Sequence, residues 1–194
     1  MGEDPVAPPD GPAQRLFIAI EVPRPAREVV AVAIRPWREA FPRARWVPPD
    51  NWHVTLKFLG RTPAHLALWV EETVAAIAAV HGPATVSARS LGAFPSAQRA
   101  RVLWAGIDDP ASGLAALVAD LEAGLAEEFR VEMRRFHAHL TVARSEPPLR
   151  MPESYAETPL ASEPFVAERV VLFRSHLQGH APRYEELRAF SLGG

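Results

Sequence analysis

Residues Trp52–Leu59 read WHVTLKFL, and residues Phe136–Arg144 read FHAHLTVAR. Both strings alternate apolar and polar side chains, the period of a strand buried on one face. Within them, His53-Val54-Thr55-Leu56 and His139-Leu140-Thr141-Val142 follow one pattern: His, apolar, Thr, apolar. Successive side chains of an extended chain leave opposite faces, so Val54, Leu56, Leu140 and Val142 turn inward while each His emerges with its Thr. The strings therefore predict two strands that each present an imidazole beside a hydroxyl. Seven His and six Thr in 194 residues give about 0.2 H-x-T matches by chance, so two copies with matching apolar flanks are not coincidental.

Outward from these strands, RLFIAIE over 15–21 reads as a buried first strand. A helix is predicted over about residues 26–41, with Pro36 expected to kink or split it. Gly60 is expected to close the first motif strand, and Thr62 to cap a helix that has Pro63 at its first position and runs to about His81. Thr85–Leu91 and Arg101–Ile107 predict a hairpin, and Asp109 or Pro110 opens a helix to about Phe129. A proline-rich loop is expected over 145–164, followed by strands over 165–173 and 183–192. Strands and helices thus alternate in two similar series, each delivering one H-x-T strand. That order predicts an α+β protein with two facing lobes. Residues 1–12, MGEDPVAPPDGP, predict a disordered tail, which leaves 13–194 as a single bilobal domain.

Composition narrows the function. With 48% hydrophobic residues the chain can bury a sizeable core, and a net charge of -2 argues against coating nucleic acid by bulk electrostatics. Lys57 is the sole lysine, so each Arg is judged by its position in an Arg-rich chain. The absence of Cys excludes disulfides, thiolate metal sites and cysteine nucleophiles. No apolar run reaches the roughly 20 residues of a membrane span, so the expectation is no membrane and a cytoplasmic location. P-loop, dinucleotide, serine-hydrolase and zincin motifs are all missing.

Two H-x-T strands meeting across a groove supply two imidazoles and two hydroxyl donors to one small anion. With an unperturbed pKa of about 6.5, one imidazole can take a proton from an attacking water while the other gives one to a departing oxygen. The hydroxyls can donate to non-bridging phosphate oxygens as their charge grows, as in-line phosphoryl displacement requires. Two rivals stay open: a three-His zinc site of His53, His137 and His139, and a groove that binds RNA or nucleotide without turnover.

The chain resembles the bacterial RNA 2',3'-cyclic phosphodiesterases, also called 2'-5' RNA ligases, of the two-histidine phosphoesterase superfamily. The resemblance rests on RLFIAIEVP, WVPPDNWHVTLKFLG, LGAFPSAQRARVLWAGI, FHAHLTVAR, VVLFRSHL and RYEEL, and spans nearly the whole chain from Arg15. It implies a bilobal fold of two pseudo-symmetric lobes, each with an antiparallel sheet and flanking helices, and a metal-independent active site in the groove between them. It also implies that His53 is the proton donor and His139 the proton acceptor. Water then opens RNA 2',3'-cyclic phosphate termini to 2'-phosphates, and reverse 2'-5' ligation needs no ATP site. The expected partners are RNA 3' ends bearing a cyclic phosphate, or small cyclic nucleotides; no cofactor and no metal are expected, and the chain is expected to be a monomer.

Substrate-binding candidates are Thr55, Thr141, Arg144, Phe17 and Phe58. Arg144 matches the family's L-T-x-A-R pattern, where its guanidinium can meet phosphate or ribose. Phe17 and Phe58 lie on strands beside the expected groove and can stack on a base, or pack as core. The family usually has Pro before the second-motif His, where this chain has Ala138, and His137 shares the face of His139 if the strand is regular there. Trp52 and Trp104 are read as lobe packing. Arg99, Arg101, Arg134 and Arg135 are candidates for a basic rim, and His65, His81, His176 and His180 lack the pattern.

Overall fold

In the computed structural model, residues 11–176 and 182–193 are described. Most of the expected tail, residues 1–10, and His180 lie outside them. The elements in chain order are β1 (Gln14–Glu21), α1 (Arg24–Ala40), β2 (Arg45–Trp46), β3 (His53–Thr62), α2 (Ala67–Ala79), β4 (Ala84–Phe94), β5 (Ala100–Asp108), α3 (Gly113–Gly124), β6 (His139–Leu149), β7 (Phe165–Ala167), β8 (Arg169–His176) and β9 (Arg183–Ser191).

The strands form two antiparallel halves joined into one sheet, ordered β7-β4-β5-β6-β3-β1-β8-β9, with β2 added on β6. Each half contains a strand, a helix and a motif strand that pairs back on the first: β1, α1 and β3 in one, β5, α3 and β6 in the other. The α+β class and the paired halves follow the sequence pattern. The seam between them is narrow, a single bridge at Val54↔Leu140. The helices bury one face, where Val30, Ile34, Val70, Val74, Leu114, Leu117 and Leu121 meet Ile18, Ile20, Val54, Leu140, Val170 and Leu172 in one core. The other face is open.

Several expectations are corrected. Helix α1 runs through Pro36 unbroken; the carbonyl that proline leaves without a donor belongs to Val32, which is 60% exposed, so water can satisfy it. Gly60 does not close β3 but sits inside it at φ 71°, a left-handed position that a glycine occupies without strain. Thr62 caps no helix: it is a buried strand residue whose hydroxyl donates to the Gly60 carbonyl. Helix α3 stops at Gly124 rather than Phe129. Its N-terminus is capped by Asp109, whose carboxylate accepts from the amides of Gly113, Leu114 and Ala115.

The second motif strand starts at His139, not Phe136, and runs through Pro147 and Pro148 to Leu149, so the expected loop begins later. The segment 165–173 divides into β7, which pairs with β4, and β8, which pairs with β1.

Strict alternation also fails, in the same way on both motif strands. On β3, Thr55 pairs with Ala19 and Lys57 with Ile18, which leaves Leu56 as an extra residue. On β6, Thr141 pairs with Trp104 and Ala143 with Leu103, which leaves Val142 as an extra residue. Each bulge sends two consecutive side chains to the core, Leu56 with Lys57 and Val142 with Ala143. The fifth residue after each His therefore returns to the open face: Phe58 in one half, Arg144 in the other. Lys57, displaced to the helix side, is buried against Glu122 of α3 at 2.5 Å and donates to the Arg130 carbonyl.

Candidate active site

The seam register sets the site. Because Val54 faces Leu140 in an antiparallel pair, the same count places His53 across from Thr141 and Thr55 across from His139. Each imidazole thus has its own strand's hydroxyl two residues away and the partner strand's hydroxyl opposite. The motif residues Val54 and Leu140 are fully buried beneath them.

Both imidazoles are held alike. His53 Nδ1 lies 2.9 Å from the Asn51 carbonyl oxygen, and His139 Nδ1 lies 2.6 Å from the His137 carbonyl oxygen. A carbonyl only accepts, so each Nδ1 carries the proton and donates it; in the neutral ring Nε2 then bears the free lone pair. Among the described residues no protein group bonds either Nε2. Each ring can take a proton there when neutral and give one there when charged.

Burial pushes the His53 pKa down to about 4, and the charges of Arg144 and His139 push the same way against its backbone hydrogen bond. His139 is also lowered, chiefly by burial, with His137 and Arg144 adding to it. Both rings are therefore neutral at pH 7 when no anion is bound. Arg144 acts on both, which puts its guanidinium beside the pair, where the bulge directs it.

The walls are aromatic. Phe17 is 2% exposed, with its ring 4.8 Å from His53, 5.2 Å from Phe173 and 5.2 Å from Tyr184. Tyr184 also meets His53 edge-on at 5.0 Å. Phe58 is 63% exposed and 6.1 Å from Phe17, at the rim. In the other half Phe94 lies 5.2 Å from His139, and Trp104 lies 4.7 Å from His137. Trp104 lies flat over β4 because Gly92 leaves room: a Cβ there would meet the indole at 2.2 Å. Trp104 is thus a groove wall as well as packing, whereas Trp52 is buried and donates to the Val47 carbonyl.

The structure brings together His53, His139, Thr55, Thr141, Arg144, Phe17 and Phe58. Sequence reasoning missed Tyr184, Phe173 and Phe94, which reach the groove from β9, β8 and β4; alternation within one strand carries no signal for them. His137 is exposed and stacks 6.1 Å from His139. It supports the catalytic candidate through its backbone carbonyl. Among the described residues no three His, Asp or Glu side chains gather at ligand spacing, so the three-His arrangement is not formed. Of the suggested rim, Arg101 pairs with Glu146 and Arg134 with Glu132. Among the described residues no helix is long and apolar enough to cross a membrane.

A two-lobed sheet carrying paired imidazoles and hydroxyls at its seam defines a phosphoesterase of the two-histidine type. The description "LigT like Phosphoesterase" matches residues 20–104 and 106–184, one stretch in each half of the sequence, and the chain belongs to that family. An RNA 2',3'-cyclic phosphodiesterase of Thermus thermophilus is 32% identical over 93% of this chain and 91% of its own length. One of Methanothermobacter thermautotrophicus is 30% identical over 92% and 98%. One of Geobacillus stearothermophilus is 32% identical over 92% of this chain, which spans 57% of that protein. Among solved structures, TT0787 of Thermus thermophilus superimposes with a TM-score of 0.77 at 29% identity, covering 93% of this chain and 98% of that one. Escherichia coli LigT complexed with 3'-AMP gives 0.71 at 26% identity, covering 94% and 99%.

Proposed function

We propose that this chain opens 2',3'-cyclic phosphates at RNA 3' ends and leaves a 2'-phosphate, by acid-base catalysis that needs no metal. The observation that carries the reading is the crossed placement of two imidazoles and two hydroxyls at one seam, each imidazole with its Nε2 free. Relatives named RNA 2',3'-cyclic phosphodiesterase, matched over more than nine-tenths of the chain, supply the substrate class.

In the reading, His139 Nε2 takes a proton from water as the water oxygen bonds to phosphorus. His53 Nε2 gives its proton to the 3' oxygen as the bond from phosphorus to that oxygen breaks. Thr55, Thr141 and Arg144 stabilise the charge that grows on the non-bridging oxygens, and the exposed Phe58, backed by the buried Phe17, forms an apolar platform for the nucleoside. The free site disfavours the charged His53 that the acid step needs. A bound phosphate monoanion reverses this, because a negative charge beside an imidazole raises its pKa. Substrate therefore completes the acid. Ligation runs in the same direction with a 5'-hydroxyl in place of water: His139 takes the hydroxyl proton as its oxygen bonds to phosphorus, the 3' oxygen leaves with the proton from His53, and no nucleotide cofactor is needed. The enzyme acts as a monomer in the cytoplasm on RNA ends or on small cyclic nucleotides.

The test is substitution of each imidazole. His53→Ala and His139→Ala are expected to lower kcat by at least about a hundredfold, the scale of acid-base catalysis, while retaining affinity for a nucleoside 2'-phosphate. Unchanged kcat in either variant would overturn the assignment.

A further inference from the structure

Beyond Phe17, at the end of the sheet, Arg15, Arg61, Arg174, Ser175 and His176 line an open pocket of about 310 Å³. Arg174 pairs with the buried Leu16 and leaves from the helix side, whereas Arg15 shares the face of Phe17 and its charge reaches Tyr184. Arg15 and Arg61 stand directly across from each other in the β1–β3 ladder, a like-charge pairing that costs stability unless an anion answers it. Among the described residues no carboxylate pairs with Arg15, Arg61 or Arg174. Glu185, which feels the Arg174 charge, is engaged by His176 at 2.6 Å. Among the described residues, three guanidinium groups thus gather at the pocket with Glu185 as the carboxylate that feels Arg174.

Its position is tied to the imidazoles. Phe17 contacts His53, and Arg15 lies two residues further along β1, about 7 Å at strand rise. Ser175 in the pocket faces Tyr184, the edge-on neighbour of His53. From the seam outward, the order is imidazole pair, aromatic platform, arginine pocket. A 3'-terminal nucleotide carries the same order: cyclic phosphate, nucleoside, then the 5' phosphodiester that joins it to the rest of the strand.

We propose that this pocket binds the phosphate on the 5' side of the terminal nucleotide, so that the enzyme distinguishes an RNA end from a free cyclic nucleotide. The proposal rests on the RNA-end reading above and adds its specificity. Guanidinium groups grip phosphate through paired charge-assisted hydrogen bonds, and contacts of this kind position a nucleic acid without reading its sequence.

The experiment compares adenosine 2',5'-bisphosphate with adenosine 2'-phosphate by calorimetry, and 5'-phosphorylated with unphosphorylated adenosine 2',3'-cyclic phosphate by kcat/KM. The intact protein is expected to favour the 5'-phosphorylated form about tenfold or more in both, the scale of hydrogen bonds to charged groups. The paired variant Arg15→Gln, Arg61→Gln is expected to lose that ratio. Arg38→Gln on α1, a substitution of the same kind elsewhere on the surface, is expected to keep it. Equal binding of the two ligands by the intact protein, a ratio that survives the paired variant, or loss of the ratio in Arg38→Gln would overturn the proposal. Failure to open any cyclic phosphate, with the bisphosphate preference intact, would sink the catalytic reading and leave the pocket assignment standing.

Discussion

At the scale of single residues, the two histidines are alike in how they are held and unequal in how deeply they sit. A carbonyl two residues back fixes the tautomer of each, and burial depresses the pKa of each. For His53 the consequence for stability has a definite sign. Its folded pKa of about 4 lies below the roughly 6.5 of an unfolded histidine, so in that window the unfolded chain binds the extra proton. The contribution is fully present above pH ~6.5 and is lost as pH falls towards 4. Tm is therefore expected to drop between these values more steeply for the native chain than for His53→Asn, which cannot titrate; parallel curves would contradict the burial of a neutral ring. The same shift marks catalysis. The alkaline limb of kcat/KM reports the free acid and that of kcat reports the bound one, so the kcat limb is expected at higher pH. Coincident limbs would mean that substrate does not raise the pKa of the acid.

At the scale of the element, the strands do something their alternation hides. The bulges at Leu56 and Val142 bring Phe58 and Arg144 to the open face and send Lys57 under the sheet. Arg144→Ala is therefore expected to lower kcat/KM by about tenfold to a hundredfold, as loss of a charge-stabilising donor does, and to let the His53 pKa rise. An unaltered kcat/KM would mean that Arg144 stays clear of the phosphate. The H-x-T faces were legible in WHVTLKFL and FHAHLTVAR because a strand buried on one side writes a period of two into its sequence. The bulges were not legible, since an inserted residue looks like any other apolar residue: Leu56 and Val142 continue the expected pattern, and only their partners Ile18, Ala19, Leu103 and Trp104 reveal them. Arg144 was found through family resemblance, against the local alternation. Thr62 and Pro63 carried a correct capping signature at a place where the strand continued, because pairing with β1 took the threonine first.

At the scale of the whole molecule, two antiparallel halves meet at one narrow bridge, and the proposed chemistry sits on it. What stiffens the seam lies beneath. Lys57 on β3 is anchored by Glu122, whose carboxylate also accepts from the Glu132 amide in the segment leading to β6. One buried ion pair thus ties the first motif strand to the approach of the second. Removing one partner strands a buried charge, so Glu122→Gln is expected to lower unfolding stability by about 3 kcal/mol, read by denaturant titration; a loss under about 1 kcal/mol would show the tie to be dispensable.

The central claim is that the paired imidazoles at this bridge open a cyclic phosphate in one direction, with His53 protonating the 3' oxygen. The measurement that bears on it most directly is the identity of the RNA terminus after a short RNA ending in a 2',3'-cyclic phosphate is incubated with the protein and a metal chelator. Full conversion to a 2'-phosphate terminus is expected; a 3'-phosphate terminus would mean that His53 does not protonate the 3' oxygen, and an RNA left cyclic would mean that the paired imidazoles do not open it.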